Sequence, residues 1–195
     1  MSPLGRYYAL ARKKLADGGW PHPLPAKCHP LGCYTSAPMP VDEAAFKLAM
    51  SHFASGVTVV TTEVEGKAFG MTVASFASLS LHPPLVLICI EKTVKTHEAI
   101  AAAGKFGVSI LSSEQQEVSA RFASRSEDKF SGIELRRGEL GVPLISGALT
   151  TLECSVYDQF PGGDHSIFLG EVVAIHTTEG TPLVYFRSGY REMRA

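Results

Sequence analysis

The stretch that decides the fold of this chain is GVTVVTTEVEGKAFGMTVASF, residues 56–76. Residues 57–62 are mostly β-branched, which is typical of a strand. Glu65-Gly66 marks a turn, and residues 68–78 are expected to form the return strand, with small and hydroxyl side chains in its middle. The stretch therefore predicts two strands joined by a tight turn.

Strands also dominate the sequence downstream of this stretch. Further strands are expected at residues 85–90, 106–111, 152–156, 166–175 and 184–185. In residues 152–156 apolar and polar side chains alternate, so we expect one face of that strand to be buried. Three short helices are expected: one after Asp42 with Phe46, Met50 and Phe53 on one face, one over residues 96–103 stopped by Gly104, and one begun by a capping box at Ser113 and Gln116.

The order of these elements favours a mainly β fold. Strands outnumber helices and do not alternate with them regularly, which disfavours a doubly wound parallel sheet. We therefore predict an antiparallel barrel with helices at its ends.

The first forty residues differ in composition from the rest of the chain. They hold seven of the twelve prolines, and five Lys or Arg against one acidic residue, Asp17. Residues 41–195 carry 13 basic and 18 acidic residues. We predict a Pro-rich, largely disordered extension over residues 1–40 and one domain over residues 41–195.

Composition excludes several classes of function. A net charge of −1 gives no general attraction to nucleic acid, and no apolar run of about 18 residues is present to span a membrane. No secretory start is visible, and Cys89 and Cys154 lie in apolar runs typical of reduced, buried thiols. We therefore expect a cytoplasmic protein. Cys28 and Cys33 lack a second pair, so no metal site is expected.

Motifs for the commonest catalytic chemistries are absent. The chain has no G-x-G-x-x-G after a strand, no P-loop and no G-x-S-x-G elbow. His97, His165 and His176 lack metal-ligand spacing. An enzyme of this size without such motifs takes its chemistry from an organic cofactor.

Several segments, in order along the chain, resemble the flavin reductase-like family, the short-chain reductases of two-component monooxygenases. The segments are residues 56–62, 70–76, 78–81, 83–87, 106–111, 121–123, 128–130, 163–165, 168–172 and 182–187. The resemblance covers about residues 42–191. It implies the FMN-binding split β-barrel, an antiparallel Greek-key barrel with flanking helices, in a homodimer.

The resemblance also implies a flavin site. Its predicted residues are Gly70, Met71, Thr72, Val73, Ala74, Ser75, Cys89, Ile90, Glu91, Lys92, Thr93, Phe106, Gly107 and Lys129. Residues 70–75 offer backbone N–H groups and hydroxyls with little bulk, although taken alone such a strand indicates close packing. Phe106 is equally compatible with the core, and Lys92 with a solvated turn. Ala74 and Ser109 depart from the family, since relatives often carry a polar side chain at the first position and asparagine at the second.

Gly163-Asp164-His165 is the sharpest single feature of the sequence. Glycines let a loop approach a ligand closely, and the resemblance implies that His165 lies beside the nicotinamide as the catalytic residue. An exposed turn histidine is the alternative. Tyr185, Arg187 and Tyr190 resemble the rest of the nucleotide site, where Arg187 is suited to bind a pyrophosphate in bidentate fashion.

The function implied is transfer of hydride from NADH or NADPH to FMN or FAD, with the reduced flavin passed to a partner monooxygenase. Two alternatives are an FMN-retaining oxidoreductase of the same fold acting on another substrate, and a non-catalytic flavin-binding module.

Overall fold

The computed structural model describes residues 41–193 of the chain. The expectations for residues 1–40 lie outside the described residues. The helices are α1 Glu43–Ser51, α2 Lys95–Ala103 and α3 Gln116–Ala123, with a 3₁₀ turn at Ser113–Gln115. The strands are β1 Ser55–Gly56, β2 Thr58–Val64, β3 Lys67–Val73, β4 Phe76–Leu81, β5 Pro84–Glu91, β6 Lys105–Ile110, β7 Leu135–Arg137, β8 Pro143–Ile145, β9 Thr150–Gly162, β10 His165–Thr177, β11 Val184–Phe186 and β12 Gly189–Arg191.

Seven of these strands form the main sheet, in the order β3-β2-β6-β9-β10-β5-β4, and each neighbouring pair is antiparallel. Its two edge strands, β3 and β4, are consecutive in the chain and are separated by Ala74 and Ser75 alone. Three residue steps span at most roughly 11 Å. The two edges of the sheet must therefore approach each other, and the sheet curves round upon itself.

The expected single return strand over residues 68–78 is wrong. The strand breaks after Val73, which pairs with Thr58 of β2, and the chain then crosses to β5. There the Ser75 carbonyl accepts a hydrogen bond from the Cys89 N–H at 3.1 Å, and the Ser75 hydroxyl donates to the Cys89 carbonyl at 3.0 Å. Strand propensity continues through this break, so the local sequence does not mark it.

The three helices lie where they were predicted, but α1 ends at Ser51 and leaves Phe53 outside the helix. α2 ends at Gly104, whose φ of 64° is the left-handed conformation that glycine adopts without strain. The capping box lies one residue earlier than predicted, because Ser112 and Gln115 form it. Helix α1 buries none of its residues, so its apolar side chains, including Phe46 and Met50, remain exposed.

Two clusters of buried apolar residues form the interior. The larger one lies within the curved sheet and includes Ile88, Phe106 and Phe168. The smaller one lies beneath α3 and centres on Phe122 and Leu111.

Strand β9 is buried on both faces over residues 151–154, which corrects the expectation of one buried face. Glu153 is only 3% exposed and accepts hydrogen bonds from the backbone N–H groups of Glu139 and Leu140 at 2.8 and 2.7 Å. Such bonds compensate the burial of a carboxylate. Cys154 is a buried free thiol, and burial together with the charge of Glu153 raises its pKa to about 12.

Four short strands were not predicted, namely β1, β7, β8 and β12, and β1 pairs with β11. β7 and β8 pair with each other, and β12 pairs with β11 in a C-terminal hairpin whose turn residues Arg187 and Ser188 have φ of 50° and 57°. The mainly β, antiparallel fold with flanking short helices is confirmed. No helix within residues 41–193 has the length and apolar character needed to cross a membrane.

Candidate active site

A cavity of about 660 Å³ opens beside the edge strand β3. Three segments line it: residues 67–72 of β3, the junction of β5 and α2, and the end of α3 with the loop that follows. The structure brings together six of the residues predicted to bind flavin at this cavity: Gly70, Met71, Thr72, Glu91, Thr93 and Lys129.

Strand β3 presents unpaired backbone groups to this cavity. Within the described residues β3 pairs only with β2, so its other edge is free. The Gly70 carbonyl accepts a hydrogen bond from Lys129 Nζ at 3.4 Å, which shows that Gly70 faces away from β2. In an antiparallel strand the N–H and C=O of one residue point to the same side, and the direction alternates. Ala68, Gly70 and Thr72 therefore offer a row of donors and acceptors along the free edge.

Gly70 is required by the close approach of two aromatic rings. A Cβ at this position would lie 2.8 Å from Phe122 Cε1 and 3.0 Å from Phe130 Cζ. The rings of Phe122 and Phe130 pack edge to face with their centroids 5.0 Å apart. The end of α3 and its loop are thus packed directly on the backbone of β3.

Lys129 is the cation nearest this packing. Its ammonium donates to the Phe122 carbonyl at 2.9 Å and, more weakly, to the Gly70 carbonyl. Burial lowers the pKa of Lys129 below its ordinary value. An ammonium carries three N–H donors, so one remains for an anion.

The cavity carries an excess of positive charge. Its basic residues are Lys67, Lys95, Arg125 and Lys129, and its acidic residues are Glu91 and Glu127. Glu127 is already paired with Lys95 at 2.7 Å, and Glu91 accepts from the Thr93 hydroxyl. Because residues 41–195 as a whole hold more acidic than basic residues, this local excess favours an anionic ligand.

The turn that carries His165 adjoins one wall of the cavity. His165 pairs across the sheet with Glu91, which lines the cavity. Lys92 donates its backbone N–H to the Asp164 carbonyl at 2.9 Å and its ammonium to the Gly163 carbonyl at 2.6 Å. The Lys92 ammonium is therefore committed to the turn rather than to the cavity.

Among residues 41–193, the imidazole of His165 has a hydrogen-bond partner at one nitrogen and none at the other. Its Nδ1 lies 2.8 Å from Asp164 Oδ1, and this hydrogen bond, with the charge of His165, lowers the pKa of Asp164. The side chain is 42% exposed. Since a carboxylate only accepts, Nδ1 carries the proton and Nε2 is available to a ligand.

The C-terminal hairpin reaches the cavity through α3. The Tyr190 hydroxyl donates to Ser119 Oγ at 2.9 Å, and the Thr72 hydroxyl donates to the Ser119 carbonyl at 2.6 Å. Tyr185 packs edge to face on Tyr190, with centroids 5.5 Å apart. Arg187 is engaged elsewhere, since its guanidinium lies 2.8 Å from His52 Nε2 next to the end of α1.

Phe106 and Gly107, predicted as flavin-lining residues, are not among the residues that line this cavity. Phe106 has no exposed surface, and a Cβ on Gly170 would lie 2.3 Å from its ring. A Cβ on Gly107 would lie 2.6 Å from Leu144 Cδ2. Both residues pack in the core and have no surface for a ligand.

The remaining residues predicted to bind flavin do not line the cavity, and they differ in burial. Val73 and Ile90 are buried, whereas Ala74 and Ser75 are exposed and Cys89 is half-buried at the crossing from β3 to β5. Sequence reasoning missed several lining residues, among them Phe69, Phe122, Arg125 and Phe130. Two of them stand in the segments 121–123 and 128–130, so the signal was present where Lys129 was selected.

Comparison with known proteins identifies the family of the chain. Residues 50–194 match the model of the flavin reductase like domain family. The reductase subunit HsaB of a flavin-dependent monooxygenase from Mycobacterium tuberculosis is 40% identical over 153 residues, covering 77% of this chain and 82% of that protein. The reductase component of 4-hydroxyphenylacetate 3-monooxygenase from Thermus thermophilus is 43% identical over 150 residues, covering 76% and 95%.

A solved structure extends the similarity to the fold. The NADH:FAD oxidoreductase SgcE6 from Streptomyces globisporus, in complex with NAD and FAD fragments, superposes with a TM-score of 0.76 at 37% identity, covering 78% of this chain and 93% of that one. Fold and site together define an oxidoreductase of the flavin-reducing class. The chain belongs to the flavin reductase-like domain family.

Proposed function

We propose that this chain is an NAD(P)H-dependent flavin reductase that reduces FMN or FAD and supplies the reduced flavin to a partner monooxygenase. The observation that carries the proposal is the cavity beside the free edge of β3, which has an excess of positive charge and adjoins the His165 turn. When bound, the flavin accepts hydride from the nicotinamide nucleotide.

The residues at the cavity fit a flavin. The outward-facing backbone groups of Thr72 and the Gly70 N–H suit the alternating oxygens and nitrogen of the flavin's pyrimidine ring, while the Gly70 carbonyl accepts from Lys129. Lys129 and its neighbouring cations suit the phosphate, since charge-assisted hydrogen bonds are about twice as strong as neutral ones. A volume of about 660 Å³ lies within the range of small-molecule sites.

His165 would orient the nicotinamide through its free Nε2, with Asp164 holding the ring. Hydride transfer between two bound rings requires positioning at about 3–3.5 Å and no strong acid or base. Tyr185 and Tyr190 would contribute to the nucleotide site through their place next to α3. Arg187 would bind a pyrophosphate only after leaving His52.

The finer features of the assembly are also proposals. We propose a homodimer with flavin near the subunit interface, formed through exposed apolar side chains that a second copy would cover. These side chains include Leu79 and Leu81 of β4, Tyr157 and Phe160 of β9, and Val173 and Ile175 of β10. Sedimentation of the purified chain checks this. The split-barrel description, the domain over residues 41–195 and a cytoplasmic location, which suits the free thiols, are proposed with it.

The names of two relatives support the proposal of a partner monooxygenase. HsaB is named as the reductase subunit, and the Thermus protein as the reductase component, of a monooxygenase. A reductase of this kind must release reduced flavin, and a cavity open to solvent at its rim permits that release.

The decisive experiment mixes the purified protein, NADH and FMN without oxygen and follows the nicotinamide absorbance. We expect flavin-dependent oxidation of NADH, and His165→Ala should lower kcat by about a hundredfold while the Kd for FMN stays the same. His176→Ala, an exposed histidine on the same strand, serves as the control.

The outcomes separate the alternatives. No flavin-dependent oxidation by the unmodified protein would reject the enzyme and leave a flavin-binding module. A tightly retained FMN with slow reduction of added flavin would indicate an oxidoreductase acting on another substrate.

A further inference from the structure

His97 lies behind the His165 turn, on the inner face of α2. Its Nε2 is 2.8 Å from the hydroxyl of Ser166, which is only 3% exposed. The ring also packs edge to face on Phe168, with centroids 5.1 Å apart. The amide of Gln159 on β9 approaches the same nitrogen at 3.5 Å. His97 therefore touches two strands from a single helix.

The partner of His97 stands immediately after His165 in the chain. Side chains alternate between the two faces of a strand, so Ser166 points inward where His165 points outward. Fixing Ser166 against α2 fixes the direction of His165 at the start of β10. A rotation or slip of the strand start that moved His165 would have to break the bond between His97 and Ser166.

The same helix begins at the cavity. Thr93, Val94, Lys95 and Thr96 line the cavity and lead directly into His97. On the outer side, Lys92 makes its two hydrogen bonds to the carbonyls of Gly163 and Asp164. The segment 92–97 therefore binds the turn 163–166 on both faces. Lys92 forms hydrogen bonds on the outer face, and His97 forms one on the inner face.

We propose that His97 is a positioning residue that couples the wall of the flavin cavity to the His165 turn, holding His165 in register with the bound flavin. This inference rests on the proposed function, because it assigns His97 a role through His165. His97 itself touches no substrate. The hydrogen bond between His97 and Ser166 sets the distance between the cavity wall and the His165 turn. The rate of hydride transfer depends steeply on this distance.

The test compares five variants in the anaerobic assay with NADH and FMN. His97→Leu removes the hydrogen bond and should lower kcat about tenfold, with the Kd for FMN changed by less than about twofold, since no cavity contact is lost. Ser166→Ala should have the same effect. Because both act through one bond, the double variant should also lose about tenfold, not a hundredfold.

His97→Gln and Glu98→Leu complete the design. The Gln amide can bond the Ser166 hydroxyl and should restore kcat to within about threefold of the unmodified protein. Glu98→Leu makes the same kind of change one residue further along, on the exposed side of α2, and should leave kcat unchanged. Thermal melts of all variants identify any that fail to fold, in which case Ser166→Ala and His97→Gln still decide.

Three results would overturn the proposal. The first is a His97→Leu protein that folds and retains full kcat. The second is a loss in the double variant equal to the product of the single losses. The third is a raised Kd for FMN with kcat unchanged, which would place His97 in the cavity wall alone. Failure of the proposed function is distinguished by the unmodified protein, which would then oxidise no NADH.

Discussion

Gly70 and Gly107 lie on the two sides of the same residue. Both pair with Thr61 of β2, Gly70 from β3 and Gly107 from β6, and both belong to segments predicted to bind flavin. Neither glycine has room for a Cβ, but Gly70 lies beneath Phe122 and Phe130 at the wall of the cavity, whereas Gly107 lies beneath Leu144 and Val142 in the core. Two glycines with the same neighbour therefore pack in different surroundings.

The difference comes from the place of each strand in the sheet. β6 is an interior strand between β2 and β9, so its backbone is paired on both sides and its faces are covered. In the described part of the chain β3 is an edge strand, so alternate backbone groups of β3 point away from the sheet and towards the cavity. A glycine in the edge strand can pack against neighbouring rings and also border a ligand site, whereas a glycine in an interior strand meets packing partners alone.

The largest effect is expected at the interior strand. Phe106→Ala should lower the free energy of unfolding by about 3–5 kcal/mol, because the ring is fully buried in the main cluster. Urea unfolding followed by circular dichroism measures this. The fraction that remains folded should keep its KM for flavin. A changed KM without loss of stability would contradict the assignment of β6 to packing rather than binding.

The two glycines themselves should respond differently. Gly107→Ala forces a contact with Leu144 and should cost about 1–3 kcal/mol of stability, with the KM for flavin unchanged. Gly70→Ala displaces the rings of Phe122 and Phe130 and should raise the KM for flavin as well. Steady-state kinetics alongside thermal melts separate the two. Equal effects on KM would mean that the edge position is irrelevant.

Lys129 at the cavity and Lys105 of β6 allow the same comparison between the two regions. Lys129→Met should weaken FMN binding about tenfold by removing a charge-assisted bond to phosphate, and should leave riboflavin binding nearly unchanged. Lys105 of β6 also donates to a backbone carbonyl, that of Leu140 at 2.7 Å, and Lys105→Met is the matched control. Titration of flavin fluorescence gives both affinities, and an equal loss for riboflavin would argue against phosphate binding by Lys129.

The smallest effect is a dependence of FMN affinity on pH. Burial lowers the pKa of Lys129, and phosphate binding needs its protonated form. Affinity is therefore fully present below that pKa and falls as pH rises through it, earlier than for an ordinary lysine. Lys129→Arg stays protonated and should flatten this fall. The comparison of FMN with riboflavin across the pH series isolates the effect, and a fall that persists in the arginine variant assigns it to another group.

Much of the fold follows from local signals. The β-branched run before Glu65-Gly66, the stop at Gly104 and the turn at Gly163 are features of a few adjacent residues, and the structure contains each of them. The break after Val73 is different, because it depends on Ser75 meeting Cys89 on a strand that comes later in the chain. The burial of Glu153 depends in the same way on residues 139 and 140 folding over it.

The candidate site also combines features set by local signals with features set by contacts between distant residues. Lys129 was selected from its segment, and the structure places it at the cavity. Phe122 and Phe130 read as ordinary apolar residues, and their contact with Gly70 joins positions more than fifty residues apart. Arg187 was predicted to bind a pyrophosphate, and only the folded chain brings His52 to its guanidinium.

By itself the sequence determined the helices, the turns and most of the long strands, because side-chain period, caps and turn residues act over a few positions. Its ordered segments also identified the family. Only the tertiary structure decided that β3 is an edge and β6 an interior strand. Strand order is set by hydrogen bonds and packing between distant residues. That order determines which of two similar glycines faces a ligand.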